Sequence, residues 1–379
     1  MRKFKLPEKD LTLGYDVRIL FSVLFLTGIG IVMVYSASSA LALKKFGTGY
    51  YFLKKQAIFA LTGLLVMGVF RYISLRILYL MTYPLIGCAL FFLIAIQVSG
   101  LGFAAGGAMR WMRIGSFTFQ PSEFARFVMV LYMAYSMTKK QDKLKEFSIG
   151  FMPHVMLLGV FTMLILLQPD FGSAMILVAI GWMMMFVGGV PFKHLATSLL
   201  IFLPLACVFL FSASYRIKRL TSFLNPWQYA SGEGYQIVHS LMAFGTGGFW
   251  GVGIGKGYQK LFYLPEPHTD FIFSVIGEEL GLLGVILILT LYGIIVWRGF
   301  DIAKKAQDPF ASLLAFGLIS AFGLQVCINM GVTLSLLPTK GLTLPFLSYG
   351  GTSLLMNMAS MGILMNIAAS EKVNHVTRA

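Results

Sequence analysis

Apolar runs of membrane-spanning length recur from one end of the chain to the other, and no other feature restricts the fold as much. A bilayer's hydrocarbon core is crossed by about 20 apolar residues in a helix. The runs predict ten crossings, roughly at 17–37, 57–70, 77–98, 122–138, 151–168, 172–189, 194–213, 271–297, 311–333 and 346–369. They are continuous rather than alternating, which excludes barrel strands. Only 12% of the 379 residues are charged, about half the share of a soluble domain. The expected fold is therefore an all-α polytopic membrane protein with ten transmembrane helices and one large extracytoplasmic loop, 214–270, between spans seven and eight. A single membrane domain, 17–370, is expected between short cytoplasmic tails, 1–16 and 371–379. The first apolar run is long for a signal peptide and more spans follow, so it reads as an uncleaved first span.

Charge sets the orientation. An even number of spans puts both termini on one side. The loops of that side hold 17 of the 30 Lys and Arg, mostly in short connections such as 139–145 and 298–305, so it reads as cytoplasmic. The net charge of +15 does not point to nucleic acid, because it is divided by the membrane. The opposite side keeps Arg110, Arg113, Arg216, Lys218, Arg219, Lys256, Lys260 and Lys340. That excess is explained either by an anionic lipid substrate at the outer leaflet or by the insensitivity of long loops to charge. Cys88, Cys207 and Cys327 lie in apolar runs without pairing or metal-like spacing. The five histidines form no metal motif, so no metal site is expected from the residues.

Seven acids remain in the spans or on the outer side: Glu123, Asp170, Glu233, Glu266, Asp270, Glu278 and Glu279. Four of them fall in Tyr263–Gly281, where a polar loop runs into an apolar helix. Ionised carboxylates at a membrane edge are costly to maintain and so need a reason. This stretch is the candidate reaction centre, with Asp270 favoured as base, Glu266 its rival, and His268 a positioning donor rather than a ligand.

Other constellations carry two readings each. The glycines of 251–257 contain Lys256 followed by Gly257, not Ser or Thr, so a nucleotide loop is rejected; they either admit a ligand or form a plain flexible turn. Arg110 beside Trp111 suits phosphate or sugar contact, or an interfacial anchor. Pro121 and Ser122 open the fourth span, with Ser122 a plausible cap. Glu123 and Arg126 share a helix face, as an ion pair or as part of a polar cavity. Asp170 reads best as the cap of the sixth span. The Pro- and Gly-broken stretch 329–353 offers Lys340, Ser348 and other hydroxyls to a cavity. Within the large loop, residues 235–244 predict a short amphipathic helix.

The stretches GAMRWMRIG (107–115), QPSEFAR (120–126), QPDFGSA (168–174), GYQIVHS (234–240), QKLFYLPEPHTDFIFSVIGEELG (259–281) and LPTKGLTLPFLSYGGTS (337–353) together resemble the SEDS family of shape, elongation, division and sporulation proteins. The match runs from about residue 15 to 370 in consistent order. Its detail is nearest the division branch, with the elongation branch second. The resemblance implies a ten-span peptidoglycan glycosyltransferase in the inner (plasma) membrane, at the division septum. It implies lipid II as substrate and a class B penicillin-binding protein transpeptidase as partner, alongside other divisome membrane proteins and membrane lipid. The family's essential acid falls on Asp270. Arg110, Trp111, Glu123 and Lys340 carry over as cavity residues, and Arg126 stands where members often have Lys. Lys256, Glu266, His268 and Ser348 complete the candidate substrate contacts. A Mg or Mn ion at the pyrophosphate is the one cofactor considered. A lipid II flippase without chemistry is the alternative from another class, since the same basic cavity and broken helix would serve it.

Overall fold

The computed structural model describes residues 16–98, 102–105, 108–115, 117–211, 214–261 and 263–376. Twelve helices appear among them: α1 (Val17–Phe46), α2 (Tyr51–Tyr72), α3 (Leu75–Val98), α4 (Pro121–Lys139), α5 (Met152–Leu166), α6 (Phe171–Gly188), α7 (Phe192–Phe211), α8 (Ser214–Leu224), α9 (Tyr235–Gly247), α10 (Ile272–Lys305), α11 (Pro309–Thr333) and α12 (Gly351–Val376). Eight helices among the described residues are long and apolar enough to cross a membrane: α1, α2, α3, α5, α6, α10, α11 and α12. Several outrun the lengths expected from apolarity alone. α1 continues to Phe46, where Gly47 (φ 72°) ends it, and α10 continues to Lys304 and Lys305. Basic last turns such as these complement the helix dipole, so a helix persists beyond its apolar stretch. α12 starts later than expected, at Gly351, because 345–350 is irregular.

Helix α4 is nearly all buried and is flanked by α3, α6, α11 and α12. A helix enclosed by other helices needs no lipid-facing apolar surface, which accounts for its low apolarity. Pro121 takes its first position after Gln120. Ser122 is therefore not the expected cap; its hydroxyl donates instead to Asp170 Oδ2 at 3.2 Å. Asp170 does cap α6, accepting from Ser173 N at 3.2 Å.

The all-α expectation fails between α3 and α4. Strands β1 (Gly102–Ala105), β2 (Ala108–Ile114) and β3 (Phe117–Phe119) form an antiparallel sheet in the order β1-β2-β3. Gly115, with φ 63°, turns the chain between β2 and β3. In β2, Met112 is buried and Arg113 exposed, the two-residue period of a half-buried strand. β1 and β3, of four and three residues, are too short a pattern to stand out beside helices of twenty, and the seven of β2 (AMRWMRI) do not alternate strictly between apolar and polar.

The long segment before α10 is also built rather than open. α8 and α9 lie in it, and α9 buries Ile237, Val238 and Ala243. Its Gly-rich part plugs a break in α10. Gly281 adopts φ 64°, ψ −164° and interrupts the helix. The N–H groups of Leu282 and Leu283 then bond to Gly248 O (3.0 Å) and Phe249 O (3.4 Å). In return Val252 N and Gly253 N donate to Glu278 O and Glu279 O, both at 3.0 Å. Four backbone groups that the break would orphan are thereby satisfied. A Cβ on Gly281 would stand 2.3 Å from Gly251 N, so no other residue fits there.

Candidate active site

Asp270 lies two residues ahead of α10, and its position is fixed through its backbone. Asn329 Nδ2, from α11, donates to Asp270 O (3.0 Å) and to Leu342 O (2.6 Å). One side chain thus ties the loop before α10 to the loop after α11. The consequence shows at Gly341, where a Cβ would stand 3.2 Å from Asp270 Oδ2 and 3.7 Å from Arg110 Nη1. The Gly341 backbone therefore sits against both the carboxylate and the guanidinium. Arg110, carried by β2, donates through Nη2 to Pro169 O, and its Nε is buried without a partner. Trp111 beside it is partly buried and pairs with Phe103 across the sheet.

Asp170 forms the neighbouring wall. Its oxygens accept from Ser122, Ser173 and Gln120. Lys340 approaches from the same loop as Gly341. Its Nζ is 4.4 Å from the Phe171 ring centroid and 3.2 Å from Met175 Sδ. Among the described residues no carboxylate lies within 4.0 Å of it. Burial pulls the Lys340 ammonium down to about 8, and the charge of Asp170 opposes that fall. Burial pushes the Asp270 carboxyl up to about 7; the Glu266 and Asp170 charges add to the rise, and Arg110 opposes it. An acid and a cation that would ordinarily be far apart in titration are thus drawn together around neutral pH.

Glu266 is exposed, in a left-handed backbone conformation (φ 49°), and Thr269 Oγ1 donates to its carbonyl at 3.2 Å. His268 is buried against Phe52 (ring centroids 4.5 Å) and Tyr349 (5.8 Å). Its Nδ1 has no partner, and burial pulls its pKa below the usual imidazole value. Ser348 Oγ donates to Thr269 O (2.6 Å) and accepts from Leu344 N (2.7 Å), so its hydroxyl latches two loops together.

Glu123 and Arg126 form a buried ion pair. Arg126 also donates to Gln325 Oε1 (2.8 Å), and Gln325 Nε2 donates to Thr343 O (2.9 Å), which links the pair to the Lys340 loop. They line a small cavity with Asn357 and Ser360, with room for about one water. Lys256 stands apart, exposed on the Gly-rich turn, and is not among the charges that act on Asp270. Glu278 and Glu279 hold the loop itself. Glu278 accepts from Tyr258 N (2.8 Å), and Glu279 pairs with Lys260 (2.5 Å) and Ser36 (2.8 Å). Among the described residues no three His, Cys, Asp or Glu side chains converge to hold a metal ion.

Sequence reasoning gave no role to Asn329 or Gly341 and did not place Asp170 beside Lys340. The available signal was an amide inside an apolar helix, and a glycine between Lys340 and Leu342.

A many-helix bundle that folds irregular backbone around a carboxylate, a guanidinium and an ammonium is a polytopic membrane protein with a polar reaction or transport cavity. The comparisons narrow that class. The profile of the cell cycle protein family FtsW/RodA/SpoVE matches residues 17–373, and the chain belongs to this family. A probable peptidoglycan glycosyltransferase FtsW of Geobacter sp. (strain M18) is 46% identical over 355 residues, 94% of this chain and 97% of its own. The stage V sporulation protein E of Bacillus subtilis (strain 168) is 40% identical over 353 residues, 93% of this chain and 96% of its own. Among solved structures, one chain reported under "Structural coordination of polymerization and crosslinking by a peptidoglycan synthase complex" superposes with a TM-score of 0.77 at 28% identity, covering 95% of this chain and 99% of that one. The rod shape determining protein RodA of Thermus thermophilus superposes at 0.66 with 29% identity, covering 94% and 97%.

Proposed function

We propose that the chain is a peptidoglycan glycosyltransferase that polymerises lipid II at the outer leaflet during septal wall synthesis, with Asp270 as general base. The observation that carries the site assignment is the Asp270 carboxylate, raised to about 7 and held against Gly341 with Arg110 alongside. The 4-hydroxyl of the acceptor GlcNAc attacks the anomeric carbon of a lipid-linked MurNAc. A C–O bond forms there, and the bond to the pyrophosphate breaks. The hydroxyl proton passes to Asp270, which suits this task because its pKa lies near working pH. Undecaprenyl pyrophosphate departs as an anion and needs positive charge rather than an acid proton. Arg110 and Lys340 supply it, while Glu266 and Trp111 flank the sugar path. Ser348, His268 and the Glu123–Arg126 pair position the loops rather than touch the reacting atoms. A Mg or Mn ion, were one used, would be held by the exposed Glu266 carboxylate, since Asp270 is kept free as the base and Asp170 is already engaged with three donors. Such an ion would neutralise charge on the pyrophosphate.

Ten crossings are assigned by adding α4 and α7 to the eight apolar helices, with both termini cytoplasmic. The enclosure of α4 by helices that themselves span supports its inclusion. A class B penicillin-binding protein is the expected partner, in keeping with the synthase complex to which the fold is similar.

The test is purified protein, with its partner, given lipid II and analysed on a gel for glycan chains. Asp270→Asn should lose polymer by about 100-fold or more while still binding lipid II. Normal polymerisation by that variant would remove Asp270 as the base. Absence of polymer from the unmodified chain would favour transport.

A further inference from the structure

Helix α1, tied to its neighbour α10 at two levels, provides a ruler for depth in the bilayer. At one end, the Arg18 guanidinium lies 5.3 Å from the centroid of the exposed Trp297 ring, a cation and an indole at an interface. At the other, Ser36 of α1 bonds Glu279 of α10 at 2.8 Å. From Arg18 to Ser36 is 18 residues, and from Trp297 to Glu279 is also 18. The unbroken α1 path measures about 27 Å at the helical rise, close to the hydrocarbon thickness of about 30 Å; the α10 path joins the same two contacts but is interrupted at Gly281. With the Arg18–Trp297 level at one interface, the Ser36–Glu279 level falls at the other edge of the hydrocarbon layer.

The Gly-rich loop bonds to α10 at this level, through Glu278, Glu279, Leu282 and Leu283. From it project Phe249 (52% exposed), Trp250 (77%), Ile254 (58%) and Tyr258 (71%), and Lys256 is exposed in the same turn. Leu282 and Leu283, joined to Gly248 and Phe249 by backbone bonds, are exposed as well. The apolar surface of α10 therefore continues without a gap onto the loop.

We propose that Phe249–Tyr258 is a membrane anchor that inserts into the leaflet on the Asp270 side. Its occupant is lipid: acyl chains against Phe249, Trp250 and Ile254, and phosphate headgroups at Lys256. An indole and a phenol at the hydrocarbon edge bury their rings and keep their polar atoms at headgroup level. Four large apolar side chains on one short turn would be an unfavourable patch in water. The anchor fixes the depth of the loop that leads to Asp270. The inference needs the bundle to lie in a bilayer but does not depend on the reaction assigned to Asp270.

The test is tryptophan fluorescence of the full chain in phosphatidylethanolamine–phosphatidylglycerol vesicles. The difference between the unmodified chain and Trp250→Phe isolates Trp250. Lipids brominated on the upper acyl chain should cause a loss of that component's intensity, and aqueous iodide should not. Tyr258→Trp in the unmodified background adds a second indole at the same level, and its added signal should respond the same way. This second variant leaves Trp250 in place, so the comparison survives if Trp250→Phe fails to fold. Quenching by iodide with no effect of brominated lipid would overturn the proposal, because the turn would then face water or a protein partner.

Discussion

The titrations of Asp270 and Lys340 nearly meet, at about 7 and about 8. In the proposed roles the base acts once Asp270 has lost its proton, so rate should rise with pH through about 7. The cation is present until Lys340 loses its proton, so rate should fall above about 8. A bell-shaped dependence of kcat/KM with a narrow top is expected from polymerisation measured across pH. Lys340→Arg should push the alkaline limb upward, since a guanidinium keeps its charge. Gly341 offers a sharper geometric check. Its backbone φ is not in the left-handed region, so alanine is conformationally acceptable. The new methyl would lie 3.2 Å from Asp270 Oδ2 and crowd the carboxylate. Gly341→Ala should therefore lower polymerisation by roughly 10- to 100-fold with little change in thermal stability. As a candidate, Asp270 was legible in the sequence as an acid at a membrane edge, with Glu266 its rival until the family resemblance pointed to Asp270. Gly341 and Asn329 were not, because their meaning comes from contacts with Asp270, 71 and 59 positions away.

At the scale of elements, the Lys260–Glu279–Ser36 cluster pins the Gly-rich loop to α1 and α10. Lys260 and Glu279 are both buried. Removing one partner leaves an unpaired charge, a loss of about 3–5 kcal/mol. Lys260→Met should lower the melting temperature in detergent, and the double variant Lys260→Met/Glu279→Leu should recover much of the loss. A double variant whose loss equals the sum of the losses of Lys260→Met and Glu279→Leu alone would show that the pair is not coupled. Sequence reasoning placed Glu278 and Glu279 inside the eighth expected span, 271–297. It did not find the lysine that answers Glu279, which lies 19 residues earlier in the chain. The small sheet was missed for a different reason. Two of its strands have only four and three residues, and the seven of the third do not alternate strictly, so no strand period stood out.

For the whole molecule, apolar run length alone gave a helix at each of the ten expected positions. Amphipathic patterning also gave the short helix α9 within the long loop, but not α8. Helix ends were less legible, since dipole-complementing lysines and irregular prolines shift them without changing apolarity. The topology proposed here has a direct check. Cysteines placed at Lys143 and at Glu233, both exposed, in a chain freed of Cys88, Cys207 and Cys327, should be labelled by a membrane-impermeant maleimide from opposite faces. Glu233→Cys should react in intact cells and Lys143→Cys only after the membrane is opened. Labelling of both from one side would remove the ten-crossing arrangement.

The break at Gly281 bears on the order in which the protein is made. The residues that complete α10 across that gap, Gly248 to Gly253, precede it in the chain. A ribosome therefore delivers the filler some 30 residues ahead of the gap, on the order of the length of one hairpin. Insertion can fold the Gly-rich turn at the bilayer edge and let the helix close onto it as it emerges. The open carbonyls of Glu278 and Glu279 then need not be exposed to hydrocarbon during biogenesis, and a chain whose turn is transplanted downstream of α10 should insert poorly.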